Sequence, residues 1–443
     1  MVEANVQIIT ELKEFLETVV NESDIRQLFT TDQADFSRKR KLPLEKLIGI
    51  LINLPKRSLS IEIQEFFDSL GQGKQSCTKS AFCLQRVKLN PLFFAVWNKW
   101  LVDNFYHYYG DTVKRWKGFR LLAVDGSSAY LLNKQELREH FGTQDNQHVQ
   151  IPMARIMQIQ DVLNDITVWG DIYSVKDSEQ QIICQQVEQL FEDSVTLFDR
   201  GFPSFVLMYL LMNQEMPRHF VMRCRSNFNN HVKDFLRSGK SSKIIEFRPD
   251  ERAIAELRKH GYIITADTTI KVRMIKIKLP GGELEVLLTD LYDEKLYSIQ
   301  DLKALYAMRW QIETTYGKQK NQQQMEVFSG HKVICIEQDY TTGLFVANLQ
   351  SLIEKQCERY VQQVSENRKL DYKINRNVSW AALKHKIVQL FLYEDPVAIL
   401  LHLQKAFERN LEPLRPNRHY QRVRKAKRLN GKYQTFTNYK RAI

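Results

Sequence analysis

The sequence lacks the features that mark several large classes of protein. Its six cysteines include no CxxC pair, which argues against a zinc cluster and a disulfide framework, so we expect reduced thiols. It has no long apolar run and no lipid-anchor motif, and its first segment, MVEANVQIITELKEFLETVV, is acidic and amphipathic. We therefore expect neither a membrane span nor a signal peptide, and predict a cytoplasmic protein.

What the chain has instead is positive charge. A formal net charge of +12 and a pI of about 9.2 indicate a polyanionic partner, and nucleic acid fits better than a membrane surface. The alternative is a basic protein whose charge serves only solubility. With 443 residues, of which 43% are hydrophobic, the chain can bury a large core.

Residues 1–115 have a helical pattern, with apolar residues spaced by three and four in LEKLIGILINL and PLFFAVWNKWLVDNFYHYY. The segments between these helices carry the cations Arg38, Lys39, Arg40, Lys41, Lys79, Arg86 and Lys88. Such a module can bind duplex DNA through its phosphates and place a helix in the major groove. A solvated helical bundle without DNA contacts is the alternative.

Strand-like runs begin near residue 116, and two of them end on an aspartate. FRLLAVDGSS places Asp125 after a buried run, and SVTLFDRGF places Asp199 likewise. Between them, ARIMQIQDVLN and ITVWGDIYSV predict a hairpin across an Asn-Asp turn. The alternation of these strands with helices predicts a mixed α/β fold. Each aspartate taken alone could simply form a turn.

The segment from Ser298 to about Gln324 predicts one long helix. Ser298 and Asp301 have the spacing of a capping box, and no glycine occurs before Gly317. Four polar residues fall within a sector of about 60° on this helix, at about 100° per residue: Tyr306, Arg309, Glu313 and Lys320. A solvated helix face is the alternative.

Two strand-end aspartates and one helical glutamate suit the cleavage of a phosphodiester. Two Mg²⁺ ions about 4 Å apart can activate the attacking oxygen and neutralise the leaving group when carboxylates hold them. Magnesium prefers oxygen ligands and keeps some positions for water and phosphate. We therefore predict that Asp125, Asp199 and Glu313 are catalytic and bind two Mg²⁺ ions, which Mn²⁺ can replace. Arg309 and Lys320 would then hold DNA phosphates.

The pattern Y-x2-R-x3-E-x6-K, from Tyr306 to Lys320, resembles the signature of bacterial insertion-sequence transposases of the insertion-sequence-four family. VDGS and FDRGF resemble the two aspartate motifs of that family, and further likeness in RKRKLPLEKLI, TKSAFCLQR, PMARIMQIQDVLN and NYKR extends over most of the chain. The resemblance implies an RNase H-like catalytic core interrupted by a β-rich insertion. It also implies cut-and-paste movement, with a hairpin at the element end, and a homodimer that pairs two ends.

One departure concerns base stacking. Some relatives are expected to stack a tryptophan of the insertion on a flipped base, but no Trp lies between Gly201 and Ala307. Any aromatic face can stack on a base, so four residues remain open as substitutes: Phe228, Phe235, Phe247 and Tyr262. Tyr306 could still bind a backbone phosphate through its hydroxyl.

The predicted organisation has five parts. They are a helical DNA-binding domain (1–115), a first part of the RNase H-like core (116–225), the β-rich insertion (226–290), the second part of the core (291–365) and a helical C-terminal region with a basic tail (366–443). From Arg415 onward the tail contains ten Lys and Arg residues and no acid, which favours DNA-backbone binding over core packing. A disordered tail without specific function is the alternative.

Together these features predict a DDE-type DNA transposase. It would bind insertion-sequence ends in double-stranded DNA, cleave them by two-metal hydrolysis and join the 3′-hydroxyl ends to target DNA, in the bacterial cytoplasm and in association with the nucleoid. Two alternatives remain. One is a catalytically silent, transposase-derived DNA-binding protein, and the other is a metal-dependent nuclease without strand transfer.

Overall fold

The computed structural model describes residues 2–38, 40–145, 150–278, 282–392 and 395–415. Lys39, the turn residues Pro280 and Gly281, and the basic tail beyond Arg415 lie outside these ranges. All six cysteines are free thiols, as expected. None of the helices in the described ranges combines the length and the apolar character that a membrane span needs.

The first part of the chain is helical. Its helices are α1 (Val2–Asn21), α2 (Ser23–Gln27), α3 (Leu44–Ile52), α4 (Leu59–Ser69), α5 (Lys79–Arg86) and α6 (Leu92–Tyr109), with 3₁₀ turns at Gly73–Gln75 and Gly110–Thr112. The apolar spacing seen in the sequence becomes the buried faces of α3 and α6.

Strands and short helices alternate through the middle of the chain. The elements are β1 (Arg120–Tyr130), α7 (Gln135–Phe141), β2 (Thr143–Asp145), β3 (Gln150–Asp161), β4 (Ile166–Ser174), α8 (Glu179–Gln185), β5 (Ser194–Phe198), α9 (Phe205–Met212) and β6 (His219–Cys224), with a 3₁₀ turn at Val187–Gln189. The predicted β3–β4 hairpin is confirmed, and Asp165 takes the left-handed conformation in its turn, with φ 56°.

The segment predicted as a β-rich insertion contributes two helices and three strands. They are α10 (Asn230–Arg237), β7 (Ser242–Phe247), α11 (Glu251–Lys259), β8 (Ile270–Lys278) and β9 (Leu284–Thr289). The side chains of Asn229 and Asp250 cap the two helices, which the polar sequence did not predict. β9 pairs with β6, so the segment continues the central sheet.

Helices dominate again after β9. They are α12 (Ile299–Ala307), α13 (Trp310–Asn321), α14 (Val333–Lys355), α15 (Glu358–Glu366), α16 (Arg376–Leu392) and α17 (Pro396–Glu408), and the short strands β10 (Tyr372–Ile374) and β11 (Leu411–Pro413) pair with each other. α14 packs on α6, where the rings of Trp97 and Phe345 stack 4.1 Å apart. The N-terminal helices therefore share one apolar core with the C-terminal helices.

One large mixed sheet organises the middle of the molecule. Its strands follow the order β2-β3-β1-β5-β6-β9-β8-β7, with β4 also paired to β3. β1, β5 and β6 are parallel to one another, whereas β3 and β4 run antiparallel to their neighbours. Alternate residues of β1 point to opposite faces, as a strand requires. Leu122 and Val124 pack with α8 and α9, and Leu121 and Ala123 pack with α12 and α13.

Candidate active site

Parallel pairing of β1 and β5 brings the two predicted aspartates to neighbouring positions. Val124 on β1 pairs with Phe198 on β5, so Asp125 and Asp199 are the next residues along the two strands. β5 is fully buried, and β1 is buried up to Val124 and half-buried from Asp125. Asp199 therefore follows the end of β5, and Asp125 lies where β1 leaves the core. β1 runs on to Tyr130 and keeps its pairing with β3 there, so the prediction that this strand ends on Asp125 was wrong.

The segment predicted as one helix from Ser298 to Gln324 is two helices, so that prediction was wrong in its middle. The capping box at Ser298 and Asp301 is confirmed. Between α12 and α13, however, the backbone N–H groups of Arg309 and Ile312 donate to the carbonyls three residues earlier, at 3.1 and 3.2 Å. This tighter turn ends α12 at Ala307 and restarts the helix at Trp310. Neither Gly nor Pro marks the break in the sequence.

Arg309 lies at this break and joins two of the predicted acids. Its side chain is 3% exposed, and its Nη2 donates to Glu313 Oε1 at 2.5 Å. Its Nη1 is 3.9 Å from Asp125 Oδ2. Two further N–H groups of the guanidinium, at Nε and Nη1, are buried and have no hydrogen-bond partner among the described residues. The arginine therefore links Glu313 to Asp125, and the N–H groups at its Nε and Nη1 remain available to donate to a ligand.

The pKa of Asp125 is strongly shifted. Burial raises the pKa of its carboxyl to about 7, with the charges of Glu179 and Glu313 acting in the same direction. Arg309 and a 3.0 Å hydrogen bond from the backbone N–H of Gly126 oppose this shift. Burial thus disfavours the charged form of Asp125 more than its protein neighbours favour it, and a cation bound to the carboxylate would favour the charged form.

Tyr306 and Lys320 lie on either side of this group. Tyr306 is 8% exposed, and its hydroxyl has no partner among the described residues. Burial raises the pKa of Tyr306, and the Arg309 charge lowers it. The Asp199 charge also raises this pKa, so the phenol lies within electrostatic reach of Asp199. Lys320 donates from Nζ to the carbonyl of Ser128 on β1 at 2.6 Å, and therefore braces α13 against that strand.

Three residues that the sequence did not predict also lie at the site: Tyr316, Glu179 and Arg155. The hydroxyl of Tyr316 donates to the backbone oxygen of Asp125 at 2.8 Å. Glu179, at the start of α8, pairs with Arg155 and packs on Gly126 so closely that a Cβ there would lie 2.4 Å from its carboxyl carbon. The one signal in the sequence was Gly126 itself, since a glycine inside a strand often marks a close approach.

The donor set suits Mg²⁺, although the acids do not form a closed cage. In the parts of the chain that the structure describes, no group of three His, Cys, Asp or Glu side chains is arranged to hold a metal ion. The three predicted acids nevertheless offer only oxygen donors, the class Mg²⁺ prefers. Asp125 and Asp199 lie at neighbouring strand positions, and Arg309 holds Glu313 on the side of Asp125.

The aromatic residues considered for base stacking differ in exposure. Phe235 and Phe247 are 2% and 6% exposed and belong to the core, although Phe247 also borders a cavity between α9 and α11. Phe228 and Tyr262 are half-buried at the edge of that core. Phe228 also lines this cavity, which has a volume of about 680 Å³.

The predicted N-terminal cations in the described ranges separate into three groups. Lys88 is partly buried and pairs with Asp35 at 2.7 Å. Arg38, Arg40, Lys41 and Lys79 are exposed. Arg86, by contrast, is 1% exposed and pairs with Asp339 of α14, so its prediction as a DNA-binding cation was wrong. A buried and fully paired guanidinium cannot reach a phosphate.

Comparison with known proteins gives a consistent result. The family model described as the transposase DDE domain matches residues 112–349. The chain is 23% identical over 327 residues to the transposase InsG for insertion sequence element IS4 of Escherichia coli strain K12, covering 70% of each protein. It is 26% identical over 120 residues to the putative transposase InsZ of the same strain, covering 26% of this chain and 40% of that protein.

Among solved structures, the chain resembles the piggyBac transposase, determined as a synaptic complex with hairpin DNA. The TM-score is 0.40 and the sequence identity 13%, and the match covers 91% of this chain and 78% of that one.

Proposed function

This chain belongs to the transposase DDE domain family, and we propose that it moves its own insertion sequence by a cut-and-paste reaction. It is a DNA transposase of the bacterial insertion-sequence type. In the proposed reaction it binds the element ends, hydrolyses the phosphodiester at each end and joins the freed 3′-hydroxyls to target DNA. The observation that carries this proposal is that Asp125 and Asp199 occupy neighbouring positions on two parallel strands, with the Arg309–Glu313 pair beside Asp125.

We propose further that the sheet is an RNase H-like core. Support comes from the strand order β4-β3-β1-β5-β6, in which three antiparallel strands continue into parallel ones with β1 in the centre. On this proposal β7 to β9 are the inserted part, which lengthens the sheet at its β6 edge.

Asp125, Asp199 and Glu313 would hold two Mg²⁺ ions, with Mn²⁺ able to replace them. Bound there, the ions would supply polarisation of the scissile phosphate and a lowered pKa for the attacking hydroxyl. The chain's own contribution is positional. Arg309 holds Glu313 beside Asp125, and its unused N–H groups can donate to phosphate oxygens.

Tyr306 and Lys320 complete the proposed phosphate contacts. The unpartnered hydroxyl of Tyr306 is a donor within electrostatic reach of Asp199. Lys320 already bonds to β1, so a role at the phosphate requires its ammonium to keep that bond while it contacts DNA. The proposed partners are double-stranded element ends and target DNA, with a homodimer holding two ends together. A cytoplasmic, nucleoid-associated location follows from such substrates.

The test uses the purified chain and linear DNA bearing the inverted repeats that flank its gene. With Mg²⁺, the wild-type chain should release the element and produce joints to a target plasmid. A silent DNA-binding protein would only retard the DNA in a gel, and a plain nuclease would give cuts without joints.

The matched variants are Glu313→Gln and Glu188→Gln. Each removes one carboxylate charge with little change of shape, and Glu188 is exposed in a 3₁₀ turn outside the site. We expect Glu313→Gln to bind element ends but to lose cleavage by a factor of at least about 10³, since an interaction with the transition state is lost. Cleavage by Glu313→Gln at the rate of the control would rule out the proposed acid triad.

A further inference from the structure

A groove of about 370 Å³ lies beside Asp199, between the end of β6 and the start of β9. Its lining contains three arginines, two neighbouring polar side chains, two glutamates and several apolar residues. The residues that matter here are Arg200, Arg223, Arg225, Ser226, Asn227 and Glu285. We call this the guanidinium groove.

Strand register makes the groove continuous with the candidate active site. β5 and β6 are parallel, and Phe198 pairs with Met222, so Asp199 and Arg223 are the next residues on adjacent strands. Arg200 follows Asp199 directly, and Arg225 follows β6. A DNA strand whose scissile phosphate lies at Asp199 would therefore meet the groove as it continues along this edge of the sheet.

Two of the three arginines in the groove have no ion pair in the described ranges. The third, Arg223, pairs with Glu285. Arg200 and Arg225 are both exposed, and within the described ranges neither forms an ion pair or a side-chain hydrogen bond. The side chains of Ser226 and Asn227 also have no partner there and offer neutral donors next to these charges. Two unpaired guanidiniums with adjacent donors are suited to phosphate oxygens, which accept such bonds in a bidentate manner.

We propose that the guanidinium groove binds the backbone phosphates of the DNA strand that runs on from the scissile bond. This inference rests on the proposed transposase function. The strand could belong to the element end or to the target, because both present the same phosphodiester chemistry. Glu285 is already neutralised by Arg223. Glu283 also lines the groove and is exposed, so its charge leaves one net positive charge on the unpaired groups there.

The test compares the full-length double variant Arg200→Ala/Arg225→Ala with the control Arg359→Ala/Lys369→Ala. The control removes the same charge from two exposed side chains that have no ion pair in the described ranges and lie outside the groove. Affinity for duplex DNA is measured from 50 to 300 mM salt. Each lost phosphate contact should flatten the slope of log K against log salt by about 0.9, so the groove variant should lose about 1.8 and the control much less.

Two arms identify the source of the strand. A smaller slope of log K against log salt for element-end duplex, together with slower cleavage, shows that the groove binds the element end. A loss confined to the joining of a pre-cut end to a target plasmid assigns it to the target. If the groove variant matches the control in both arms while the wild-type chain binds and cuts, the groove is a solvated surface and the inference fails alone. If the wild-type chain neither cuts nor joins its ends, the proposed function fails and the inference with it.

Discussion

Arg86 offers a sharp test of how the N-terminal helices are attached to the catalytic part. Its guanidinium is 1% exposed and donates to Gln338 Oε1 at 2.6 Å, to the Cys335 carbonyl at 2.9 Å and to Asp339 Oδ1 at 2.7 Å. It also donates to the hydroxyl of Ser329. One side chain of α5 therefore fastens the start of α14 and the loop before it.

The perturbation is Arg86→Met, which keeps most of the aliphatic stem but removes the charge. Burial alone would raise the pKa of Asp339, and the Arg86 charge is the main influence that lowers it. Without Arg86 the Asp339 carboxylate, 6% exposed, loses its main counter-charge. Removing one partner of such a buried pair costs about 3–5 kcal/mol, so we expect the free energy of unfolding to fall by about 4 kcal/mol.

The assay is urea unfolding followed by tryptophan fluorescence. Trp97, in the core that joins α6 and α14, reports on this region. The control is Lys99→Met, which breaks an exposed pair with Asp103 on α6 and should cost no more than about 0.5 kcal/mol.

A second variant separates lost charge balance from lost packing. Arg86→Met combined with Asp339→Leu removes both charges, so it should be less destabilised than the sum of the two single changes. The reasoning is refuted if Arg86→Met costs no more than Lys99→Met, or if the two single costs simply add.

Three further predictions concern the site and the tail. The folded pKa of Asp125, about 7, exceeds its ordinary value of about 3.9, so the folded chain binds this proton more tightly and loses stability as pH rises from about 4 to 7. Asp125→Asn should remove that part of the pH dependence in thermal unfolding without divalent metal; an unchanged pH profile would contradict it. Arg309→Ala should slow cleavage roughly a hundredfold while changing DNA affinity little, measured by single-turnover cleavage and gel shift; equal losses in both would make Arg309 an ordinary binding cation. Truncation after Arg415 should weaken binding similarly for all DNA sequences and reduce its salt dependence, as titrations on element-end and random duplexes would reveal; a loss confined to element ends would contradict it.

Local sequence was sufficient for much of the candidate site. The run before Asp125 is apolar enough to form a buried strand, and β1 is buried up to that residue. The spacing of Arg309 and Glu313 places them one turn apart, where they pair. Such features depend on neighbours within a few residues, which is the range over which hydrophobic periodicity and helix geometry act.

Other predictions failed because they depended on contacts between distant parts of the chain. The break before Trp310 follows no local signal and coincides with the burial of Arg309 against Asp125. Arg86 looked like a surface cation among basic neighbours, yet its partner Asp339 lies far along the sequence. Charged side chains are almost never fully buried unless they are paired, so the burial of an arginine cannot be predicted before its counter-charge is known.

By itself, then, the sequence determined that a buried strand leads to each aspartate, that Arg309 and Glu313 lie one helical turn apart, and which metal chemistry the carboxylate oxygens favour. Only the tertiary structure decided that Asp125 and Asp199 are adjacent, because that follows from the parallel pairing of β1 with β5. It also decided that Glu179 packs on Gly126 and that the arginines after β5 and β6 line one groove. The physical reason is that strand order and register are set by long-range packing of the sheet, which a local pattern of residues does not specify.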